Sequence, residues 1–170
     1  MKTIQLLLIT GLLSLYWTGG LHAQNVRSGD MAPHFTINTL SGKPFSLGAH
    51  KGKVVLVNFF STVCRWCIKE LPKLEQEVLL KYGTRSDFRM ITIARGQDKA
   101  TVGKFIRQRK LNLPVAYDPQ QRVFRKYAEK MIPRTYVIDK DGKIKDVLVG
   151  YTEAAFQKLL KVIDNELSHK

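Results

Sequence analysis

Cysteine is nearly absent: the 170 residues hold only two, Cys64 and Cys67, beside four histidines. So few cysteines exclude a disulfide-rich secreted scaffold. A structural zinc site needs four ligands, and His34, His50 and His169 lack ligand spacing to the pair. A c-type haem attachment needs histidine directly after the second cysteine, where this chain has Ile68. No metal or cofactor is therefore expected. Repeats, linkers and low-complexity stretches are also missing, which leaves room for one domain with one core. Acidic residues are scarce, 14 against 28 basic, for a formal charge of +14. Such an excess suits nucleic acid, an anionic membrane face or acidic protein partners. Long apolar runs are limited to Ile4–Trp17, short of the roughly 20 residues that span a bilayer.

That run has a context. Lys2 precedes it, and Gly19-Gly20-Leu21-His22-Ala23 follows, with Leu21 and Ala23 at positions −3 and −1 of a cut before Gln24. Positive start, apolar centre and small-residue end together predict a signal peptide over residues 1–23 and an exported domain over 24–170. The expected location is periplasmic or otherwise extracytoplasmic. No cysteine follows the run to carry a lipid anchor. Export makes nucleic acid an unsuitable partner and leaves a membrane face or acidic proteins for the basic surface; the chain is expected to act as a monomer.

Strand and helix patterns alternate. Phe35–Leu40 alternates like an edge strand and turns at Ser41-Gly42-Lys43-Pro44 into a short partner, Phe45–Leu47. Val54–Phe60 (VVLVNFF) is a continuous apolar run suited to a central strand buried on both faces. A helix is predicted from about Arg65 to Tyr82, with Ile68, Leu71, Leu74, Val78 and Leu79 on one stripe and Gly83 closing it. Phe88–Ala94 is a second core strand, and Asp98 caps a helix bearing Val102, Phe105 and Ile106. Leu113–Tyr117 is a short strand, and Asp118-Pro119 opens another helix with Val123, Phe124 and Tyr127. Thr135–Ile138 and Ile144–Val149 form a hairpin around Lys140-Asp141-Gly142. Thr152 caps a last helix with Phe156, Leu159, Leu160, Ile163 and Leu167 inward. The pattern predicts a three-layer α/β/α sandwich with a mixed central sheet and an N-terminal β-hairpin.

The cysteines stand where a core strand gives way to a helix. A disulfide closing so short a loop removes little entropy from the unfolded chain, so an inert staple is poorly served by this spacing. Redox cycling is served well. At a helix N-terminus Cys64 meets unpaired N–H groups and the positive dipole end, which favour a thiolate, and Arg65 acts in the same direction. Cys67, one turn inside, is expected to be more buried and able to resolve a mixed disulfide formed at Cys64.

In context, Cys64-Arg65-Trp66-Cys67 resembles the thioredoxin superfamily, and within it the exported TlpA/ResA-like branch. The resemblance runs from Met31-Ala-Pro-His-Phe35 to the last helix. It rests on Lys51-Gly-Lys-Val-Val-Leu-Val-Asn-Phe-Phe60, on Pro72 five residues after Cys67, and on Met131-Ile132-Pro133 before Asp139-Lys-Asp-Gly142. The resemblance implies a thiol–disulfide oxidoreductase with a thioredoxin-like fold and a cis Ile132–Pro133 bond. Its loop would face the cysteines and offer backbone to an extended client. It further implies client proteins with disulfides or thiols, and an upstream thiol electron donor that can be membrane-bound. Glu70 matches a glutamate found near the pair in reductase members. There it could relay a proton to Cys67 if burial raised its pKa, or it could be a solvated helix residue. Asn58 stands where thioredoxin carries a buried aspartate.

Two departures concern substrate contact. Val63 replaces the usual tryptophan before the first cysteine, and Trp66 lies between the cysteines, either exposed toward clients or packed on the Pro133 loop. Arg134 follows Pro133 where a small or β-branched polar residue is commoner; with Arg65 it would make the rim basic. Two other functions remain open at this level. One is a peroxiredoxin-like peroxidase using Cys64, although Val57 occupies the proline position of that motif. The other is a non-catalytic binding module whose disulfide is structural.

Overall fold

The computed structural model describes residues 26–168, so the predicted signal peptide lies outside the described residues. The five-stranded sheet is built on β3 (Val54–Phe60), all seven residues of which are buried. Such a strand must be covered on both faces, and it is. β4 (Phe88–Arg95) pairs with it in parallel on one side, and β5 (Val115–Asp118) continues in parallel beyond β4. On the other side β6 (Arg134–Ile138) runs antiparallel, followed by β7 (Ile144–Val149). The order β5-β4-β3-β6-β7 makes a mixed sheet. A separate hairpin pairs β1 (Thr36–Asn38) with β2 (Pro44–Ser46). This is the thioredoxin-like architecture expected.

Because side chains alternate along a strand, β3 feeds two cores. Val54, Leu56 and Phe60 meet Leu71, Leu74 and Val78 of the helix after the cysteines, with Phe156, Leu159 and Ile163 of the C-terminal helix. Val55, Val57 and Phe59 meet Phe35, Leu47, Phe124 and Tyr127 on the other face. The layers are unequal. The first face carries α1 (Arg65–Lys73), α3 (Lys99–Arg109) and α5 (Glu153–Ser168). The second carries α4 (Phe124–Tyr127) and the N-terminal segment.

The predicted helix from Asp118-Pro119 is thereby corrected. Asp118 ends β5, and the helix is one turn at Phe124–Tyr127. Its carboxylate instead accepts from the backbone N–H groups of Arg122, Val123 and Phe124 at 2.8, 3.0 and 2.9 Å. The cap works from a distance, across a turn whose residue Gln121 has a left-handed φ of 57°. Periodicity alone does not show that the intervening residues leave the helix.

Around the cysteines the helix is continuous but not uniform. α1 contains Pro72, which has no N–H for the Ile68 carbonyl. Directly after it the chain winds wider, as a π-type segment over Leu74–Leu79, and returns to α geometry in α2 (Leu80–Tyr82).

Candidate active site

The strand-to-helix junction places the cysteines. Cys64 adopts extended backbone angles (φ −84°, ψ 111°) as the cap of α1, and its sulfur accepts from the Cys67 backbone N–H at 3.2 Å. Cys64 and Cys67 are joined in a disulfide, with Cα atoms 5.2 Å apart. Cys64 is partly exposed and Cys67 fully buried. The two thus differ in access as their positions predicted. When the pair is reduced, the free N–H groups of the first turn and the Arg65 charge favour a thiolate at Cys64.

The loop before the helix is held from outside. Gln97, just beyond β4, accepts from the Thr62 backbone N–H at 2.8 Å and donates to Thr62 Oγ1 at 2.6 Å. Nothing in the local sequence marks Gln97 for this role, since 35 residues separate the partners. Opposite, the Ile132–Pro133 bond is cis, and the Ile132 carbonyl oxygen lies 3.8 Å from Cys64 Sγ. The preceding Met131 sits at a left-handed φ of 69°, rare for a residue with a side chain. Its side chain projects outward, 57% exposed.

Glu70 is buried, not solvated. It shares the inward face of α1 with Cys67 and Leu71. Its oxygens are held by two residues from the sheet. Asn58 Nδ2 donates to Glu70 Oε2 at 2.9 Å and to Thr135 Oγ1 at 2.8 Å, while Thr135 Oγ1 donates to Glu70 Oε1 at 3.0 Å. The triangle is closed. Burial pushes the Glu70 carboxyl up to about 7, against the opposing pull of the Thr135 and Asn58 hydrogen bonds. A carboxyl one helical turn from the buried sulfur can therefore exchange a proton near neutral pH. The sequence marks Thr135 only as strand, and Asn58 only as a strand residue that departs from aspartate. The signal for Asn58 was present, however: one amide inside VVLVNFF must find a buried partner. Its Oδ1 is buried and has no hydrogen-bond partner in this arrangement.

Arg65 and Trp66 are exposed, whereas the rim expected from Arg134 is corrected. Arg134 is 8% exposed. β6 alternates, so Thr135 faces Glu70 while Arg134 turns to the opposite face, where its guanidinium reaches Tyr136 Oη at 3.5 Å. The strand phase set by Thr135 decides this, and it moves Arg134 away from the cysteine side. The structure brings Cys64, Cys67, Glu70, Ile132 and Pro133 together and leaves Arg134 buried against Tyr136.

The AhpC/TSA family model matches residues 28–147, across the cysteines and the cis-proline loop. The chain belongs to the AhpC/TSA family. The thiol-disulfide oxidoreductase ResA of Bacillus anthracis is 32% identical over 165 residues, covering 95% of this chain and 94% of that one. A candidate protein disulfide isomerase from Bacteroides thetaiotaomicron superposes with a TM-score of 0.81 at 36% identity, over 85% of this chain and 92% of its own. A candidate thiol:disulfide interchange protein DsbE from Chlorobium tepidum superposes at 0.76 and 27%, over 84% and 99%. With the paired cysteines at the helix start, this family member is a thiol–disulfide oxidoreductase.

Proposed function

We propose that this protein works outside the cytoplasm and reduces disulfides in client proteins through Cys64, Cys67 and Glu70. The observation that carries this reading is the asymmetry of the pair: an accessible sulfur at the helix start, and a buried one a helical turn from a carboxyl that burial pushes up to about 7. In the reduced form Cys64 thiolate attacks one sulfur of a client disulfide. A Cys64–client bond forms, and the client's other sulfur leaves as a thiolate. Glu70 takes the proton from the Cys67 thiol, and Cys67 then attacks Cys64 Sγ. The protein ends as the disulfide, the client gains two electrons, and its two sulfurs end as thiols. A dithiol donor must restore the pair. The Ile132 carbonyl beside Cys64 and the exposed Trp66 offer an edge and a surface along which an extended client can lie.

Export is supported by the three-zone pattern of residues 1–23. No helix among the described residues is long and apolar enough to cross a membrane. In the peroxidase alternative Cys64 would attack peroxide, yet Val57 stands where that motif carries proline. Replacing Cys67 with serine tests the exchange: Cys67→Ser is expected to accumulate mixed disulfides through Cys64, identifiable by mass spectrometry. A Cys67→Ser protein recovered only as free thiol would refute it. N-terminal sequencing of the mature chain should begin at Gln24.

A further inference from the structure

The outer face of α1 carries an arrangement that neither the fold nor the exchange chemistry requires. Arg65 and Lys69 are four residues apart, so they are neighbours on one helical face, and like charges at that spacing repel. Both lie over the same indole: the Arg65 guanidinium is 5.5 Å and the Lys69 ammonium 4.8 Å from the Trp66 ring centroid. Among the described residues no carboxylate lies within ion-pair distance of either. One turn on, Lys73 pairs with Glu77 at 2.8 Å. Two exposed apolar side chains neighbour Cys64 along the chain or across from it, Val63 directly before it and Met131 directly before the Ile132 carbonyl that meets its sulfur, 85% and 57% exposed; Trp66 itself is 48% exposed.

Cation–π contact holds the two charged heads on the ring without using up their N–H donors. The result is a positive, aromatic-backed platform one to five residues from Cys64. It lacks its anion.

We propose that Arg65, Trp66 and Lys69 form a carboxylate-reading subsite, so that preferred clients carry Asp or Glu within about two residues of the reactive cysteine. Apolar client residues lie over Val63 and Met131. An extended chain advances about 3.3 Å per residue, which brings such a carboxylate over the platform while the client sulfur meets Cys64. The inference rests on the exchange reading above. It adds that charge next to the client cysteine sets the rate.

The test uses the pre-reduced full-length mature protein and three peptides differing only in the residues flanking one cysteine: aspartate, serine or lysine. Each carries a chromogenic aryl thiol as a mixed disulfide, and release of that thiol is followed by stopped flow. The aspartate peptide is expected to react about tenfold faster than the lysine peptide at low salt, with the ratio falling toward one near molar salt. Ratios cancel any change in intrinsic Cys64 reactivity caused by losing Arg65. Arg65→Ser and Lys69→Ser should each lower the ratio about two- to threefold, and the double variant should bring it near one. Lys43→Ser, in the β1–β2 turn, removes the same charge elsewhere and should leave it unchanged.

Three results would overturn the inference. A wild-type ratio near one with a fast serine peptide rejects the subsite while leaving exchange intact. A ratio that survives in the double variant assigns the preference to overall charge. A flat ratio, with anionic phosphatidylglycerol vesicle binding lost in the double variant, assigns the platform to lipid. If no peptide reacts and a small dithiol fails to reduce the Cys64–Cys67 bond, the exchange reading itself falls.

Discussion

Replacing Glu70 with glutamine should change how stability depends on pH, and the size follows from the buried triangle. Burial raises the Glu70 carboxyl from 4.5 to about 7. At roughly 1.4 kcal/mol per pH unit, this corresponds to about 3 kcal/mol. Between pH 4.5 and 7 the folded protein holds a proton that the unfolded chain has released. Glu70 therefore favours folding most fully below pH 4.5, and that contribution is lost as pH rises to 7 and beyond. Glutamine carries no such proton. It can keep its own two bonds if the Asn58 amide turns its unpartnered Oδ1 toward the incoming N–H; the Asn58–Thr135 bond lost in that turn costs the same at every pH and does not enter the slope.

The assay is urea unfolding of the disulfide form of wild type and Glu70→Gln from pH 4 to 8, read as the difference between them. Other acids such as the half-buried Asp87 and the exposed Asp98, held below their ordinary values by Arg85 and by the start of α3, are common to both proteins and cancel. The stability of the variant relative to wild type should rise by about 3 kcal/mol across that range. A flat difference would refute the buried, proton-holding carboxyl and its assigned role at Cys67.

Two further outcomes follow from contacts distant in sequence. Asp118→Ala removes the acceptor of three backbone N–H groups ahead of α4. It should lower stability by about 2–3 kcal/mol, read as an earlier urea midpoint with an unchanged slope. Gln97→Ala frees the Thr62 N–H two residues before Cys64. Amide exchange at Thr62 should speed up about tenfold, as loss of one part-buried hydrogen bond predicts.

Much of the scaffold was legible because its signals are local. VVLVNFF predicted β3 to the residue, since a strand covered on both faces has no polar phase to blur its ends. The predicted helix from Arg65 to Tyr82 spans α1 through α2, including the wide turn after Pro72. Asp98 and Thr152 cap the helices they were expected to cap, with side-chain oxygens accepting from Thr101 and Ala155. Local pattern failed at α4, because its apolar residues serve the second core from a turn as readily as from a helix.

The sequence by itself determined the two-cysteine pair, its position between a buried strand and a helix, and hence the different access of its two sulfurs. Tertiary structure alone decided whether Glu70 meets water or the sheet. Its partners Asn58 and Thr135 lie 12 and 65 residues away, and only β3–β6 pairing brings them together beside α1. The same pairing fixed the phase of β6, which turned Thr135 toward the site and Arg134 away from it. A helix position can predict which face a carboxyl occupies. What that face packs against is set by strand order, and strand order is set by contacts distant in the chain.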